Sequence, residues 1–148
     1  MRKLLYVLII ASLVISLDQI TKYLVMSFIS NNDSVEIFPF LHIVNIQNTG
    51  AAFGMFKDLH NNVFIGISVV AVIFIIWLIV KGAYSQIGLS LLLGGAIGNL
   101  IDRVRLEKVV DFIDISVGKF SWPAFNVADS CLTIGIALIL LVLIIKKR

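Results

Sequence analysis

Two aspartates, Asp111 and Asp129, lie in apolar sequence where a carboxylate is costly unless it is neutral, paired or hydrated. Asp111 lies within VVDFID, and Asp129 precedes a stretch, residues 130–145, that contains no charged residue. The chain between them is long enough to return on itself and bring the two carboxylates together. Two such groups in contact cannot both ionise, so one keeps a proton near neutral pH. The ionised member can then activate a water while the protonated member polarises an amide carbonyl, which is aspartic-protease chemistry.

Asp129 also has a purely local interpretation. Asn126 is a favourable N-cap, and Asp129 would then occupy the third helical position, where an acid suits the positive end of the helix dipole. The neighbours Phe125, Val127 and Cys131 indicate a half-buried site rather than an exposed cap. Capping and catalysis both remain open for Asp129 from these residues alone. Cys131 itself is most simply a small core or lipid-facing residue.

Two further segments place polar residues at informative spacings. Asp18 and Lys22 of DQITK are four residues apart with the acid first, the favourable order for an ion pair on one helix face. Mutual neutralisation is the simpler role for this pair, and Lys22 could also snorkel towards water. Asn48 and Gly50 begin NTGAAF, which predicts a turn with exposed backbone amides. Such a turn could also hydrogen-bond an extended peptide.

The segment LLGGAIGNLIDR, residues 92–103, is the densest polar and glycine-rich signal in the chain. Its glycines at positions 94, 95 and 98 permit close approach of another helix or a substrate. Asn99, Asp102 and Arg103 follow at the predicted helix exit, where Asp102 and Arg103 are most simply a surface ion pair. No lysine and serine or threonine follow the glycines, so the segment is not a phosphate loop. Asp114, three residues after Asp111, could simply be exposed.

The composition requires that these residues be positioned within a membrane. Of the 148 residues, 59% are hydrophobic and 14% are charged, whereas soluble domains are about 45–50% apolar. Four segments approach the roughly 20 apolar residues of a spanning helix, at about residues 4–28, 63–80, 84–101 and 125–145. The sequence therefore predicts an all-α membrane protein, one integral-membrane domain over residues 1–148, with four transmembrane helices. The first segment also resembles a cleavable signal peptide, but no small-x-small site follows it, so we expect it to be retained.

Charge is divided between the two ends of the predicted spans. All nine acidic residues lie on the side of the two longer loops, residues 29–62 and 102–124, whereas lysine and arginine are divided equally, six to each side. The basic residues at the termini are the more densely placed, which favours cytoplasmic termini. Alternation over residues 42–47 predicts a small extracytoplasmic β-rich region. The net charge is only +3, and the basic residues do not cluster into a stripe interleaved with aromatic residues. These features exclude nucleic acid as a partner.

Other hydrolase chemistries and other protein classes compete with the carboxylate pair. His42 and His60 have no H-E-x-x-H spacing and there is one cysteine, so we expect no metal and no cofactor. No G-x-S-x-G elbow provides a serine nucleophile. A small transporter that uses intramembrane acids as a proton relay would place them near mid-span, whereas these acids cluster at one interface. A non-catalytic assembly factor is a third class.

Five blocks, DQITK, NTGAAF, GGAIGNLIDR, VVDFID and FNVADS, occur in an order and spacing similar to those of the lipoprotein signal peptidase family, bacterial signal peptidase II. The resemblance covers nearly the whole chain. It implies an aspartic endopeptidase of the bacterial cytoplasmic membrane, with both termini cytoplasmic and the active site near the extracytoplasmic face. It also implies inhibition by the cyclic peptide globomycin.

The same resemblance implies a substrate and a set of site residues. The substrate is a prolipoprotein whose cysteine carries diacylglycerol, cleaved just before that cysteine, and membrane lipid surrounds an enzyme that we expect to be monomeric. The catalytic pair matches Asp111 and Asp129. Substrate-binding positions match Asn48, Gly50, Asn99, Arg103 and Asn126, and supporting positions match Asp18, Lys22 and Asp102. We add the expectation that the three glycines leave room for the lipid or the signal helix.

Overall fold

Four long helices and a four-stranded sheet make up the part of the chain that the structure describes. The computed structural model describes residues 2–50, 59–82 and 84–146. In chain order the elements are α1 (Arg2–Phe28), β1 (Ser34–Phe38), β2 (Leu41–Asn48), α2 (Asn61–Lys81), α3 (Gln86–Leu106), β3 (Val109–Val117), β4 (Phe120–Phe125) and α4 (Val127–Lys146). All four helices are long and apolar enough to cross a membrane. The predicted architecture of four spanning helices with a small β region is confirmed.

Helix α3 is the centre of the bundle, and α1, α2 and α4 all pack against it. Half of the residues in its most apolar stretch are buried, whereas at most about a fifth are buried in the corresponding stretch of each other helix. The core between α1, α2 and α3 contains Val7, Ala11, Ile75, Leu89, Leu93 and Ala96. The outer faces of the other helices are lined with exposed aliphatic side chains, as expected for surfaces that contact lipid.

The glycines of α3 serve this packing. A Cβ on Gly94 would lie 2.7 Å from the Cβ of Val14 in α1, and one on Gly95 would lie 2.6 Å from the carbonyl oxygen of Ala128 in α4. Neither glycine therefore has free space beside it. Our expectation that these glycines leave room for a lipid or a signal helix is wrong, because neighbouring helices of the same chain already fill that space.

Helix α3 runs five residues beyond the predicted end at residue 101, so that Asp102 and Arg103 are helical rather than part of a loop. The predicted span ended before Asp102 because a charged side chain favours water. In the structure Asp102 is buried and has polar partners within the protein, so the helix continues past it. The helix ends instead at Glu107, which adopts a left-handed conformation with φ 60°. The fourth helix begins at Val127, two residues later than predicted, because Asn126 acts as its cap.

The sheet is antiparallel throughout, with strand order β1-β2-β3-β4. It therefore combines the two interhelical loops, although alternation predicted strands only in the first. Strand β2 pairs with β3 in a register that sets Ile46 opposite Asp111 and Asn48 opposite Val109. The second loop escaped prediction because VVDFIDISV in β3 is apolar on both faces near its start and lacks the alternation of a half-exposed strand. This pairing places β2, in the first interhelical loop, directly beside Asp111.

Candidate active site

Asp111 lies near the start of β3, directly after α3, and its side chain is buried at 3% exposure. Both of its carboxylate oxygens accept hydrogen bonds from amide side chains. Asn126 Nδ2 donates to Oδ1 at 2.8 Å, and Asn48 Nδ2 donates to Oδ2 at 3.1 Å. The carboxyl is therefore held by residues from the first loop and from the start of α4, two regions that are distant in sequence.

Asp129 lies in the first turn of α4 and is half-buried. Its backbone N–H donates to Asn126 Oδ1 at 2.8 Å, which confirms the predicted cap. Its carboxylate does not return to the cap: Oδ1 accepts from Asn99 Nδ2 at 2.8 Å. The backbone of Asp129 thus serves the helix start, while its side chain is directed to α3 and is available for another role.

Asn126 links the two acids. It is fully buried, its Nδ2 donates to Asp111, and its Oδ1 accepts from the backbone of Asp129. Further contacts of Nδ2 with Val110 O and Asn99 Oδ1, both at 3.3 Å, fix the amide plane. One side chain therefore positions both carboxylates relative to each other.

Burial, and to a smaller extent the nearby negative charge of Asp129, raise the pKa of Asp111 from its ordinary 3.8 to about 7. The hydrogen bonds from Asn48 and Asn126 act against this rise but do not cancel it. A carboxyl with this pKa is partly protonated near neutral pH. The two acids can therefore supply one proton donor and one base in the same site.

Both aspartates line one cleft of about 960 Å³. Its floor includes Ala96 and Asn99 of α3, one wall is formed by α2 from Phe64 to Ile75, and the opposite wall by Leu132 and Ile134 of α4. Trp122 and Phe125 of strand β4 also line the cleft. The cleft therefore has a small polar end and long apolar walls, which suits a ligand that is mostly hydrocarbon.

A buried charge cluster of Asp18, Lys22 and Asp102 lies beneath the two acids. Lys22 Nζ lies 2.8 Å from Asp18 Oδ2 and 2.9 Å from Asp102 Oδ2, and all three side chains are at most 3% exposed. The predicted pair of Asp18 and Lys22 is present in the structure. The alternative that Lys22 snorkels is wrong, because its ammonium is buried between the two carboxylates.

This charge cluster is connected to Asp129 through one amide. Lys22 Nζ donates to Asn99 Oδ1 at 3.0 Å, so the Nδ2 of Asn99 must point the other way, towards Asp129. The carboxylates of the cluster also accept from the backbone: Asp18 from Ala128 N at 2.9 Å and Asp102 from Val110 N at 3.1 Å. The cluster therefore joins α1 and α3 to the residues directly before Asp111 and Asp129.

Arg103 lies apart from this cluster. The expected surface ion pair with Asp102 is wrong: adjacent helical residues point in different directions, and Asp102 is buried against Lys22. Arg103 instead lies on the cleft, with its guanidinium 5.5 Å from the ring centre of Phe64 and its Nη2 3.4 Å from Gly50 O. The arginine thereby links α3 to α2 and to the turn that follows β2.

The predicted turn at Asn48 is present, because Gly50 N donates to Asn48 Oδ1 at 2.9 Å. Residues 51–53, the rest of the NTGAAF motif, lie outside the described residues, so the expected peptide-binding ledge stays a prediction. Asp114, three residues from Asp111, is half-buried on the sheet, with its Oδ2 3.5 Å from His42 Nδ1. Since Asp114 is absent from the cleft lining, it is not brought together with the other acids.

Two contributing residues were missed in the sequence. Gln19 Nε2 donates to Asp102 Oδ1 at 2.9 Å and to Gly98 O at 3.2 Å, which joins α1 to α3 beside the charge cluster. Its position next to Asp18 was the available signal. Asn61, the first residue of α2, donates to Arg103 O at 2.9 Å. No local pattern indicated Asn61, because its partner lies 42 residues away.

The fold and the cleft together define a class, the multi-pass membrane enzymes. The chain is similar to two solved structures of bacterial membrane enzymes. The first matches with a TM-score of 0.89 at 37% sequence identity, and the match covers 97% of this chain and 90% of the chain in that structure. The second matches with a TM-score of 0.83 at 39% sequence identity, and the match covers 93% of this chain and 92% of the chain in that structure.

Sequence relatives narrow this class to one family. The family model described as signal peptidase (SPase) II matches residues 10–145. The lipoprotein signal peptidase of Thermodesulfovibrio yellowstonii is 46% identical to this chain, and the alignment covers 85% of this chain and 86% of the relative. The lipoprotein signal peptidase of Syntrophotalea carbinolica is 43% identical, and the alignment covers 90% of this chain and 88% of the relative. The corresponding Staphylococcus aureus protein, strain MRSA252, is 40% identical over 93% and 86%. The chain belongs to the signal peptidase II family and is a membrane protease of that family, which confirms the resemblance carried by the five motifs.

Proposed function

We propose that this chain, as one domain over residues 1–148, is an aspartic endopeptidase that removes the signal peptide from diacylglyceryl prolipoproteins. Asp111 and Asp129 are the proposed catalytic pair. The observation that carries this proposal is that both carboxyls line the polar end of one apolar cleft and are held by the same residue, Asn126. The raised pKa of Asp111, about 7, supports a pair that shares one proton.

The proposed reaction uses the two carboxyls in opposite roles. The ionised carboxylate takes a proton from a water, and the water oxygen attacks the carbonyl carbon of the scissile amide. The protonated carboxyl donates a hydrogen bond to the carbonyl oxygen as negative charge develops there. The tetrahedral intermediate then collapses, the carbon–nitrogen bond breaks, and the nitrogen takes the proton from the former base. No group besides the two acids and water is required.

The cleft supports a substrate with a signal helix and two acyl chains. Its walls are mostly apolar side chains of α2 and α4, interrupted by Ser68, Ser130 and Thr133, and its floor is α3. Hydrocarbon held along these walls would place the adjacent peptide bond at the polar end, and such positioning lowers the entropic part of the barrier. Asn48 and Arg103 are proposed to contact the peptide because both line the cleft, and Gly50 is proposed to join them because it is hydrogen-bonded to both.

Conversion of each acid to its amide tests the proposal. We expect Asp111→Asn and Asp129→Asn to abolish cleavage of a diacylglyceryl prolipoprotein in detergent, because an amide can neither take nor release the proton. Asp114→Asn is the matched control, since Asp114 lies three residues along the same strand outside the cleft. Full cleavage by either of the first two variants would refute the pair, and loss confined to Asp114→Asn would show that the wrong partner has been chosen.

The same variants separate catalysis from helix capping at Asp129. The cap bond uses the backbone N–H of Asp129, which the amide variant retains. We therefore expect Asp129→Asn to lose turnover with a change of at most about 1 kcal/mol in the free energy of unfolding. A large loss of stability with proportional loss of activity would assign the carboxylate a structural role. A proton relay without hydrolysis would leave substrate uncleaved by the parent protein as well.

We further propose that the enzyme lies in the bacterial cytoplasmic membrane as a monomer, with cytoplasmic termini and the cleft's polar end at the extracytoplasmic face. The short, dense basic segments at the termini support this orientation. A cysteine that replaces exposed Lys119, in a Cys131→Ser background, should react with a membrane-impermeant maleimide on intact spheroplasts. A cysteine at position 146 should react only after lysis, and the reverse pattern would refute the orientation.

A further inference from the structure

A second cavity lies at the end of the helix bundle opposite the two aspartates, where α1 begins, α2 ends and α3 begins. Its volume is about 470 Å³, within the range of about 300–1,000 Å³ for small-ligand sites. The residues that line it include Lys3, Leu4, Ile79, Val80, Tyr84 and Gln86. The proposed proteolysis uses none of these residues, so the cavity needs its own explanation.

The cavity lining has a polar part and an apolar part. Lys3 supplies an ammonium group, and the half-buried Tyr84 and Gln86 supply a hydroxyl and an amide. Leu4 and Val80 supply aliphatic surface that is 55% and 78% exposed, continuous with the lipid-facing sides of α1 and α2. A ligand that fits both parts has an anionic head and a hydrocarbon chain.

No aspartate or glutamate among the described residues lies near the Lys3 ammonium. In the part of the chain that the structure describes, every aspartate and glutamate lies at or beyond the opposite ends of the helices, and the nearest along α1 is Asp18. Fifteen helical residues separate the two, about 22 Å along the axis, which is nearly three times the screening length of about 8 Å at physiological ionic strength. An anionic group in this cavity would therefore meet the Lys3 ammonium and no carboxylate side chain of the described residues.

Trp77 and Lys81 indicate the depth of this cavity in the membrane. Trp77 is 52% exposed near the end of α2, and Lys81 Nζ lies 5.8 Å from the centre of the Trp77 ring system. Exposed tryptophans near lysines at the end of a spanning helix are typical of the headgroup level of a bilayer. The adjacent residues Ile79 and Val80 line the cavity, so the cavity opens at headgroup depth.

We propose that this cavity binds an anionic phospholipid of the surrounding bilayer. The Lys3 ammonium contacts the phosphate, Tyr84 and Gln86 supply further hydrogen-bonding groups for the headgroup, and one acyl chain lies along Leu4 and Val80. The exposed aliphatic wall favours a phospholipid over a soluble anion. The Lys3 ammonium, with no aspartate or glutamate among the described residues at this end of the bundle, favours an anionic headgroup. The site is separate from the proposed substrate cleft.

The two tryptophans of the chain provide the test, because Trp77 lies beside the cavity and Trp122 lies in the sheet. In a Trp122→Phe background, Trp77 fluorescence is followed in phosphatidylcholine nanodiscs that contain brominated phosphatidylglycerol or brominated phosphatidylcholine. We expect stronger quenching by the anionic lipid at equal mole fraction. Lys3→Gln should weaken this preference about fivefold, which corresponds to about 1 kcal/mol for one lysine at a membrane surface.

Lys146→Gln is the matched control, because Lys146 is an exposed lysine at the same end of the bundle that does not line the cavity. This variant should retain the preference. Equal losses in the two variants would assign the preference to diffuse surface charge and overturn the site, as would equal quenching by both brominated lipids. Displacement of the preference by soluble glycerol 3-phosphate alone would refute the acyl-chain contact. Native mass spectrometry of co-purified phosphatidylglycerol gives a second readout, in which Lys3→Gln should again lose lipid and Lys146→Gln should not.

Discussion

Replacement of Lys22 by methionine is the most direct test of how the candidate active site is held together. Lys22 makes two ion pairs, at 2.8 Å and 2.9 Å, and one hydrogen bond to Asn99 Oδ1 at 3.0 Å, and it is 1% exposed. Methionine is close to lysine in shape and keeps the apolar stem. The substitution therefore removes the positive charge while it leaves little cavity.

The expected cost follows from what remains buried. Without Lys22, the carboxylates of Asp18 and Asp102 lie together with no cation, and both are at most 3% exposed. Removal of one partner from a buried ion pair costs about 3–5 kcal/mol, because the other charge is left unpaired in a medium of low dielectric constant. Since native proteins are stable by about 5–15 kcal/mol, Lys22→Met should be among the most damaging single substitutions in this chain.

The assay is reversible unfolding in mixed detergent micelles, with Lys119→Met as the control for an exposed lysine. A triple variant, Asp18→Asn/Lys22→Met/Asp102→Asn, separates charge from packing. Both asparagines keep an oxygen that can accept from Ala128 N and Val110 N, the backbone partners of the original carboxylates. We expect the triple variant to recover most of the loss, because no uncompensated charge remains.

Two results would refute this reasoning. A loss below about 1 kcal/mol for Lys22→Met would mean that solvent reaches the cluster, as at a surface ion pair. A triple variant no more stable than Lys22→Met would mean that the lysine acts through its shape rather than its charge.

Two further predictions concern Asp111 and Gly98. Because the folded-state pKa of Asp111 is raised from 3.8 to about 7, the folded protein binds this proton more tightly than the unfolded chain does. The contribution of Asp111 to stability is therefore complete below about pH 4 and is lost as the pH rises through about 7. The free energy of unfolding measured across this range should fall with pH in the parent protein and should fall less in Asp111→Asn. Equal slopes in the two proteins would contradict the assignment. A Cβ on Gly98 would lie 2.7 Å from Asp18 Oδ2, a carboxylate held by Lys22, so Gly98→Ala should cost about 1–3 kcal/mol in the same unfolding assay. Gly66→Ala is its control, because a Cβ there meets nothing within 4 Å and should be neutral or stabilising by up to about 1 kcal/mol; similar losses in both would show that helix propensity, not the contact with Asp18, is measured.

The sequence by itself determined the features that depend on spacing along one element. The apolar runs specified four spanning helices, since length and hydrophobicity are local properties. The four-residue spacing of Asp18 and Lys22 placed them on one helix face, and the Asn126 cap followed from its position three residues before Asp129. Family membership also followed, because five short motifs occur in order along the chain.

Only the tertiary structure decided which elements those residues join. Asp102 pairs with Lys22 rather than with its neighbour Arg103, because the crossing of α1 and α3 sets a buried ammonium beside it. The glycines of α3 are filled by α1 and α4, and Asn48 reaches Asp111 only because β2 pairs with β3. Helical periodicity fixes the direction of a side chain within its own helix, but the identity of its partner depends on helix packing and strand register, which no local pattern encodes.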